Sequence, residues 1–388
     1  MVEWKTIDDI SKNVFAGGTP STKHEEYYDG DIPWIRSGEI DFNTITKAER
    51  NITKEGYNNS SAKLIRSGSV VMAMTGATVA KSAIVEFETS ANQSVCAIET
   101  DESVANYKYV YFYLSKEYFK IKSSAQGALT SLNLSMIKQI EIPVPSLEEQ
   151  TRIVGILDTF TSAIDNLKEQ IAQRRKQYEY YRDQLLDLEG KPGVEMKTLG
   201  ELFTFKNGLN KGKEYFGKGK PIIMFSNVFN SRHIDSTMIK SRVEISDNEL
   251  ERINAKLGDV FFTRTSETKE DVGYASVLVE DVGDCTFAGF LIRARPITND
   301  LIPEYCKYCF STQKIRNAIV NNSSFTTRAS LTGGGLSSIS FPLPPLSEQQ
   351  RIVSILDTFE ASIANLEAQL KQRQKQYEYY RNKLLTFD

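Results

Sequence analysis

Apolar side chains recur with an alternating 4-3 spacing along two long segments of the chain, residues 145–188 and 344–387. In each segment the spacing continues for five heptads. Such a stripe runs along one side of a helix and is typical of a coiled coil. At about 1.5 Å per residue each helix is expected to reach roughly 60 Å. The seam positions are Ile153, Leu157, Phe160, Ile164, Leu167, Ile171, Arg174, Tyr178, Tyr181 and Leu185, then Ile352, Leu356, Phe359, Ile363, Leu366, Leu370, Arg373, Tyr377, Tyr380 and Leu384.

The two segments are copies of one sequence, with 27 of 44 positions identical at a constant offset of 199 residues. A tandem duplication of this kind predicts internal pseudo-two-fold symmetry. We therefore expect the copies to pair with each other as antiparallel helices. Two long helices within an ordinary bundle are the alternative. Arg174 and Arg373 interrupt the two seams at the same place, so we interpret them as markers of register that either snorkel or find a carboxylate.

A globular segment precedes each copy, and both segments have the mixed pattern of many short strands and a few helices. The predicted fold class is therefore α+β (mixed α/β), with two globular domains joined by two long antiparallel coiled-coil helices. The expected boundaries are 1–144 for the first domain, 145–189 for the first helical segment, 190–343 for the second domain and 344–388 for the second helical segment.

The two globular segments share an order of elements but little sequence identity. Runs rich in β-forming residues lie at 31–40, 68–76 and 81–87, and at 220–229, 258–267 and 273–280. Each set is followed by an amphipathic stretch, 106–124 or 303–321, and by a proline-containing exit, 140–145 or 339–345. Because the helical copies agree while the heads differ, we expect the heads to recognise different things.

Composition narrows the range of functions. The 388 residues carry a net charge of -3 and a pI near 5.8, so any nucleic-acid binding must depend on local basic patches. No N-terminal stretch resembles a signal peptide, and four cysteines without one indicate a reducing cytoplasm.

Motifs for catalysis and for cofactors are weak. Pro344-Pro345 lacks the flanking residues of an adenine methyltransferase loop, and residues 76–82 miss the spacing of a phosphate-binding loop. Asp259 with Glu267 and Lys269 has nuclease-like spacing that is common by chance. Cys306 and Cys309 lie in a predicted helix at positions that match Val110 and Tyr113, which favours packing over zinc. We expect no cofactor, no metal and no catalysis by this chain.

The duplicated motif itself resembles one family. Each copy begins Pro-x-Leu-x-Glu-Gln-x-Arg-Ile-Val-x-Ile-Leu-Asp and continues into Lys-Gln-Tyr-Glu-Tyr-Tyr-Arg, which is similar to the specificity subunit of type I restriction-modification systems. The openings Gly17-Gly18-Thr19-Pro20-Ser21 and Gly30-Asp31-Ile32-Pro33-Trp34-Ile35 also look like those of the family's target-recognition domains. The resemblance covers the whole chain.

The resemblance implies a non-catalytic subunit that binds double-stranded DNA at a bipartite sequence, one half-site per domain. It also implies docking of two adenine methyltransferase subunits and, in a restricting complex, of translocating nuclease subunits. The expected architecture supports a bipartite target apart from the resemblance, since a stiff pair of helices would fix the distance between the two DNA-reading heads. Helices of this length limit that spacing to roughly 17 base pairs.

Candidate DNA contacts are polar and basic residues in loops between the β-rich runs, because base edges and phosphates are read by such side chains. A lysine-rich stretch at 206–220 is the densest group, and Asn207-Gly208 and Gly333–Gly335 are predicted to be mobile loops. The candidates are Thr19, Ser21, Lys23, Arg36, Ser37, Lys81, Ser82, Gln126, Thr130 and Asn133 in the first domain, and Lys206, Asn207, Lys211, Lys213, Asn227, Arg264, Thr265, Lys269, Thr327 and Arg328 in the second.

Candidate partner-binding residues are polar positions that agree between the helical copies although most lie off the seam. They are Glu149, Gln150, Arg152, Gln173, Lys176, Gln177 and Arg182, with their copies Glu348, Gln349, Arg351, Gln372, Lys375, Gln376 and Arg381. We interpret them as two equivalent docking surfaces for methyltransferase subunits. Recent duplication is the competing explanation. A coiled-coil adaptor whose heads bind proteins or other ligands, and a specificity subunit without partners, remain the alternative functions.

Overall fold

The computed structural model describes residues 2–125 and 131–387. The chain divides into two compact units, unit 1 (Met1–Lys168 with Ala368–Asp388) and unit 2 (Glu169–Glu367). Each unit holds one globular head, the first part of one long helix and the last part of the other. None of the helices in the described residues combines the length and the apolar content that crossing a membrane requires.

The described residues of head 1 form ten strands and four short α-helices, together with 3-10 turns at Glu25–Tyr27 and Ser37–Glu39. The strands are β1 (Glu3–Thr6), β2 (Ser11–Ala16), β3 (Tyr28–Ile35), β4 (Thr44–Ile45), β5 (Arg50–Ile52), β6 (Ser69–Ala73), β7 (Ser82–Val85), β8 (Ser90–Ala91), β9 (Val95–Thr100) and β10 (Glu141–Val144). The helices are α1 (Lys54–Asn58), α2 (Tyr107–Lys116), α3 (Tyr118–Ser124) and α4 (Leu134–Lys138). The long helix α5 (Leu147–Leu186) follows β10.

Head 2 contains thirteen strands and six short α-helices, with 3-10 turns at Lys213–Tyr215 and Ser236–Met238. The strands are β11 (Glu195–Thr198), β12 (Phe203–Asn207), β13 (Phe216–Ile223), β14 (His233–Ile234), β15 (Arg242–Val243), β16 (Val260–Thr263), β17 (Thr265–Ser266), β18 (Ala275–Leu278), β19 (Thr286–Phe287), β20 (Leu291–Pro296), β21 (Ser324–Phe325), β22 (Ala329–Ser330) and β23 (Ser340–Leu343). The helices are α6 (Leu199–Leu202), α7 (Phe225–Phe229), α8 (Asp247–Arg252), α9 (Pro303–Cys309), α10 (Gln313–Asn321) and α11 (Gly333–Ser337). The second long helix, α12 (Leu346–Leu384), follows β23.

The two heads share the topology of their two main sheets, and head 2 has a further small sheet of order β17-β22-β21. Head 1 has a five-stranded sheet of order β2-β9-β6-β7-β4 and a three-stranded sheet β5-β3-β8, and head 2 repeats them as β12-β20-β16-β18-β14 and β15-β13-β19. In each head the first strand also pairs with the last, β1 with β10 and β11 with β23, directly before the long helix begins. The predicted mixed fold with two heads and two long helices is confirmed.

Alternating side chains of the central strands give each five-stranded sheet two buried faces. In β6, Val70 and Met72 pack with α2 and the long helices, while Val71 and Ala73 pack toward the smaller sheet. In β16, Phe262 packs with α9 and the long helices, while Phe261 packs toward the smaller sheet. A period of two is what a strand buried on both faces requires. The helical layer therefore covers one face of each large sheet.

The two long helices pack against each other in antiparallel order within each unit. In unit 1 the Phe160 ring stacks on Tyr380 at a centroid distance of 5.2 Å, and the Arg373 guanidinium lies 5.8 Å from the same ring. In unit 2, Phe359 is likewise held by Tyr181 at 5.5 Å and Arg174 at 5.9 Å. The seam arginines thus meet an aromatic face, where cation-π attraction compensates part of their desolvation.

One predicted strand is wrong in part. Residues 220–229 read as a single β run, but β13 ends at Ile223 and residues Phe225–Phe229 form α7. The Asn227 side chain accepts a hydrogen bond from the Met224 N–H at 2.8 Å, which starts the helix. A local side-chain cap therefore overrides the β propensity of the apolar run.

Candidate nucleic-acid interface

One end of each five-stranded sheet collects many of the candidate DNA contacts. In head 2 this end is formed where β12 and β16 finish and β20 begins, and we name it tip 2 (residues 206–208, 264–266 and 290). Backbone hydrogen bonds fasten it, from Arg264 N to the Phe290 oxygen at 2.9 Å and from Gly208 N to the Leu291 oxygen at 3.2 Å. Lys206, Asn207, Arg264 and Thr265 are therefore brought together.

A small β-ribbon extends tip 2, and we name it ribbon 2 (residues 324–330). Its strand β22 pairs with β21 on one side and with β17 on the other. Thr327 and Arg328 lie exposed in the turn. The Arg328 guanidinium is 3.9 Å from the Glu267 carboxylate, but both side chains are mostly solvated, so this pair is weak. Lys269 lies on the connection that follows β17.

Two exposed aromatic residues lie at the same end of head 2 and are absent from the sequence-based candidates. Phe290 is 64% exposed at tip 2, and Phe325 is 52% exposed on ribbon 2. Aromatic rings beside basic side chains are a recurring means of contacting nucleic-acid bases. A single apolar residue in a turn belongs to no periodic pattern that would predict its burial or exposure. The only sequence signal for exposure is the residue before each ring, Gly289 before Phe290 and Ser324 before Phe325.

The lysine-rich stretch at 206–220 is largely neutralised by acidic side chains. Lys211 pairs with Glu249 at 2.9 Å, Lys218 pairs with Glu244 at 3.1 Å, and Lys220 pairs with Asp284 at 2.5 Å. The pKa of the Glu249 carboxyl falls to about 2, chiefly because Lys211 and the Ser246 backbone N–H donate to it. Among the described residues of this stretch, Lys206 and Lys213 are exposed and have no ion pair.

Close backbone packing corrects the expectation that Asn207-Gly208 and Gly333–Gly335 are mobile loops. A Cβ atom on Gly208 would collide with the carbonyl oxygen of Ala288, so this glycine permits two backbones to meet. Gly333–Gly335 form the first turn of α11, whose N-terminus is capped by the Thr332 hydroxyl at 3.1 Å from Gly335 N. Both glycine motifs have a structural explanation.

The corresponding end of head 1, tip 1, consists of residues 17–19, 74–76 and 93–94. Met74 N donates to the Ser94 oxygen at 2.8 Å, which repeats the bond between Arg264 and Phe290 in head 2. The Thr19 hydroxyl donates to Gln93, a residue that sequence reasoning did not select. The following loop is held by the Trp34 indole N–H, which donates to the Gly18 oxygen at 3.0 Å. Ser21 and Lys23 continue this loop and are exposed.

Other head 1 candidates lie away from tip 1 or are engaged. Lys81 pairs with Asp41 at 2.5 Å, Arg36 pairs with Glu49 at 2.6 Å, and Ser37 opens a 3-10 turn. Asn133 caps α4 by accepting from Met136 N at 2.9 Å. Gln126 and Thr130 lie outside the described residues.

Two candidate DNA contacts are corrected by their contacts and burial. Ser82 is fully buried and its hydroxyl lies 3.1 Å from that of Ser115, because it is the first residue of a central strand. The Asn227 amide oxygen accepts from the Met224 N–H and its amide nitrogen donates to the Met238 oxygen, so the side chain joins the start of α7 to the turn after β14. Neither side chain is available to a ligand.

On the long helices, two candidate partner-binding residues are corrected in the same way. Gln150 is fully buried, accepts from Asn106 N at 2.8 Å, and donates to the Val104 and Pro145 oxygens. Gln349 repeats this pattern with Ile302 N and the Asp300 and Pro344 oxygens. Both glutamines fasten a long helix to its own head, which explains their agreement without a partner.

The other repeated helix positions divide by exposure. Glu149 and Arg152 form a bidentate pair with both N–O distances at 2.7 Å, which lowers the carboxyl pKa, and Glu348 and Arg351 repeat it. Arg182 is buried over the Tyr178 ring, so it is corrected to a packing role. Half-buried positions are Arg381 and Gln376, and exposed positions are Gln173, Lys176, Gln177, Gln372 and Lys375.

The cysteine pair lies in the second core. Cys306 and Cys309 are buried on α9, and burial raises the pKa of the Cys309 thiol to about 12. Val110 and Tyr113, their expected equivalents on α2, are buried as well. These positions act as packing residues in both heads.

Comparisons with known proteins agree on one family. The sequence model described as "Type I restriction modification DNA specificity domain" matches residues 1–174 and 192–375. The EcoR124I/EcoR124II specificity subunit of Escherichia coli is 35% identical over 195 residues, which cover 47% of this chain and 48% of that subunit. The EcoKI specificity subunit of E. coli is 28% identical over 360 residues, covering 87% of this chain and 76% of that subunit.

Solved structures with the same fold extend over the whole chain. A chain from a study of complex assembly and conformational transition of the type I R-M system matches with a TM-score of 0.66 and 19% identity, covering 100% of this chain and 98% of that chain. The S subunit from M. genitalium matches with a TM-score of 0.57 and 16% identity, covering 100% and 97%. At these identities the likeness concerns the fold.

Proposed function

The chain belongs to the family of type I restriction-modification DNA specificity domains, and from this premise we propose that it binds a bipartite DNA sequence, one half-site per head. The observation that carries the proposal is the difference between two equivalent tips. Arg264 in tip 2 occupies the backbone position of the buried Met74 in tip 1, with the same backbone bonds around it. One scaffold with different side chains at its tip suits the reading of two different sequences.

In head 2, tip 2 and ribbon 2 form the proposed DNA contact surface. Lys206, Lys213 and Lys269 are expected to neutralise phosphates, while Arg264 and Arg328 are expected to contact base edges, where arginine pairs with guanine. A two-stranded ribbon fits the major groove of B-form DNA. Asn207, Thr265 and Thr327 add polar contacts beside the exposed Phe325.

In head 1, the proposed contacts are centred on tip 1 and the loop that follows it. Thr19, Ser21 and Lys23 leave the sheet end together, and the carbonyl oxygens of Gly18 and Pro20 are held by Trp34 and Tyr28. A loop held at two points presents its side chains with little loss of conformational freedom on binding.

The long helices are proposed to set the number of base pairs between half-sites and to dock two methyltransferase subunits. The bidentate pairs Glu149–Arg152 and Glu348–Arg351 are equivalent, with an exposed arginine and a half-buried glutamate in each, so they offer the same surface twice. Translocating nuclease subunits join where the system includes them. The chain acts in the cytoplasm and contributes recognition, while its partners supply the methyl transfer.

The test is to express the chain with its methyltransferase and to map N6-methyladenine across a host genome by single-molecule sequencing. One bipartite motif with a fixed spacer is the expected result. Methylation at a continuous motif, or none despite a stable complex, would favour the second candidate, a coiled-coil adaptor whose heads bind proteins. A catalytically inactive methyltransferase provides the matched control.

A further inference from the structure

The edge strand of each large sheet lies beside the long helices, and its fastening differs between the two heads. In head 2 the edge strand is β14, and Arg232 directly precedes it. In head 1 the edge strand is β4, preceded by Asn43. The two positions are equivalent, since Val277 N donates to the Arg232 oxygen at 3.1 Å and Ile84 N donates to the Asn43 oxygen at 3.1 Å.

Arg232 reaches from the sheet edge to both long helices. Its guanidinium donates to the Tyr178 hydroxyl of α5 at 2.8 Å and lies 3.6 Å from the Glu360 carboxylate of α12. It also lies 5.5 Å from the centroid of the Tyr178 ring. The arginine is 44% exposed, whereas Tyr178 is 5% exposed, so the acceptor is fixed while the donor remains partly in water.

Glu360 is the centre of this network. The Lys307 ammonium lies 2.9 Å from it, and the Tyr308 hydroxyl, which donates to Asp357 at 2.5 Å, lies 3.2 Å from it. The Tyr178 hydroxyl lies 3.3 Å from the same carboxylate. Groups on α5, on α9 and at the sheet edge therefore converge on one carboxylate of α12, and such networks hold geometry more firmly than a single surface pair.

In unit 1 four members of the network are replaced together. Asn43 stands for Arg232 and Thr161 stands for Glu360. On α2, Tyr111 stands for Lys307 and Phe112 stands for Tyr308, while Tyr377 keeps the place of Tyr178. These residues line an open cleft of about 750 Å³ between the sheet edge and the helices. We call the contacts of Arg232 with Tyr178 and Glu360 the clamp. The residues that replace this network in unit 1 carry no ionic group, so no equivalent clamp lines this cleft.

Glu378 and Arg381 of α12 also line the cleft, where the Arg381 guanidinium lies 5.4 Å from the centroid of the Tyr377 ring, and the remaining charged groups form three ion pairs. Lys108 holds Asp158 at 2.7 Å, Lys168 holds Asp165 at 3.0 Å, and Asp41 pairs with Lys81. None of these three pairs joins the strand β4 to the long helices. Lys108 ties α2 to α5, as Lys307 ties α9 to α12. The contact that distinguishes unit 2 is therefore the one from its sheet edge to the long helices, made by Arg232.

We propose that Arg232 is a positioning residue that fixes the edge of the head 2 sheet to the long helices and thereby sets the spacing at which head 2 reads DNA, whereas head 1 is free to adjust. The proposal rests on the proposed function for its DNA consequence. Its mechanical part concerns the clamp alone and is tested without DNA.

The mechanical test is amide hydrogen exchange on the full chain. The amides of Val277 and Ile84 make the same bond in the two heads, so Val277 is expected to exchange more slowly than Ile84. Arg232→Asn should accelerate Val277 about tenfold, which corresponds to about 1.4 kcal/mol, and leave Ile84 unchanged. Glu360→Thr should act in the same direction. Unchanged exchange at Val277 in both variants would overturn the clamp.

The DNA test uses a library in which the two half-sites are separated by spacers one base pair shorter and longer than the preferred one. Arg232→Asn is expected to leave both half-site sequences unchanged and to reduce the preference for the native spacer about tenfold. Arg232→Lys should restore part of that preference through its charge. An unchanged spacer preference alongside faster exchange would overturn the positioning role. A wild-type chain without any bipartite motif would overturn the proposed function instead, and the exchange result would still decide the clamp.

Discussion

Gln150 and Gln349 show how a polar side chain can determine where a helix meets a domain. Each side-chain amide accepts a hydrogen bond from one backbone N–H and donates to two backbone carbonyl oxygens. A buried backbone group left without a partner costs about 1–3 kcal/mol. These two residues therefore act as fasteners between a head and the helix that follows it.

Gln150→Leu is expected to destabilise unit 1 by about 2–4 kcal/mol, because leucine keeps the volume but leaves those backbone groups unsatisfied. Urea unfolding monitored in the full chain measures the change. Gln173→Leu, at an exposed position of the same helix, is the control and should change stability by about 0.5 kcal/mol or less. Equal effects of the two substitutions would contradict the fastening role.

Glu249 gives the stability of head 2 a pH dependence with a definite sign. Its carboxyl pKa lies near 2 in the folded chain, below the ordinary value of 4.5. A depressed folded pKa contributes stability that is present above the unfolded pKa and lost as the pH falls toward the folded one. Unfolding midpoints measured from pH 5 downward should fall less steeply in Lys211→Met, which removes the main cause. Identical slopes for the two chains would contradict this assignment.

At the residue scale, the sequence predicts types of contact better than partners. The heptad spacing predicts that Arg174 and Arg373 lie on the seam, and the structure confirms that position. A carboxylate was one expected partner, but each guanidinium lies over a phenylalanine ring instead. Ser82 and Gln150 were selected for polarity, yet both are buried. Burial depends on which elements pack together, and residue type alone does not encode that.

At the element scale, ribbon 2 is a short addition next to tip 2, in which β22 pairs with β21 and with β17. Its strands have two residues each, and its turn presents Thr327 and Arg328 to solvent. A short ribbon of this kind is stabilised mainly by its neighbours, here β17. The exposed side chains of its turn therefore contribute little to the fold, whereas Ala329 is buried in the core of head 2.

Arg328→Ala is expected to weaken binding at one half-site by about 1–3 kcal/mol if the guanidinium contacts a base, and to relax the sequence preference at that position. Fluorescence anisotropy with the two half-sites varied separately measures both effects. Lys218→Ala is a suitable control, since that lysine is paired with Glu244 in the same head. Equal losses at both half-sites would contradict a local contact.

The long helices were predictable to within a few residues. The segments expected at 145–189 and 344–388 contain helices Leu147–Leu186 and Leu346–Leu384, because heptad spacing over this length has few alternatives. The short element α7 was not predictable in the same way. Its apolar residues fit a strand as well as a helix, and a cap made by one side chain decided the outcome.

At the scale of the whole molecule, duplication explains features that the sequences of the heads conceal. The heads share sheet order and even strand register, as in Thr44 opposite Ile84 and His233 opposite Val277, although they share little sequence. Sequence reasoning recovered the shared order of elements but not the sheet order, since strands of two to eight residues leave pairing partners ambiguous. The two helical segments, in contrast, are still identical at 27 of 44 positions.

The duplication leads to a prediction about the symmetry of the DNA target. In the natural chain two different heads should give a motif whose half-sites differ. Replacing residues 195–343 by residues 3–144 gives each helical copy the same preceding head, since both boundaries fall at the strand pair that closes a head. Under the pseudo-two-fold symmetry that the repeat predicts, the chimera should direct methylation to inverted copies of the first half-site.

Genome-wide mapping of N6-methyladenine measures this outcome directly. A palindromic bipartite motif built from the first half-site is the expected result, because each identical head then reads the same bases from opposite directions. The natural chain mapped in parallel supplies the reference for the half-site sequence. A direct repeat of that half-site would contradict the two-fold relation while preserving one half-site per head. Retention of the original asymmetric motif would contradict the assignment of sequence reading to the heads.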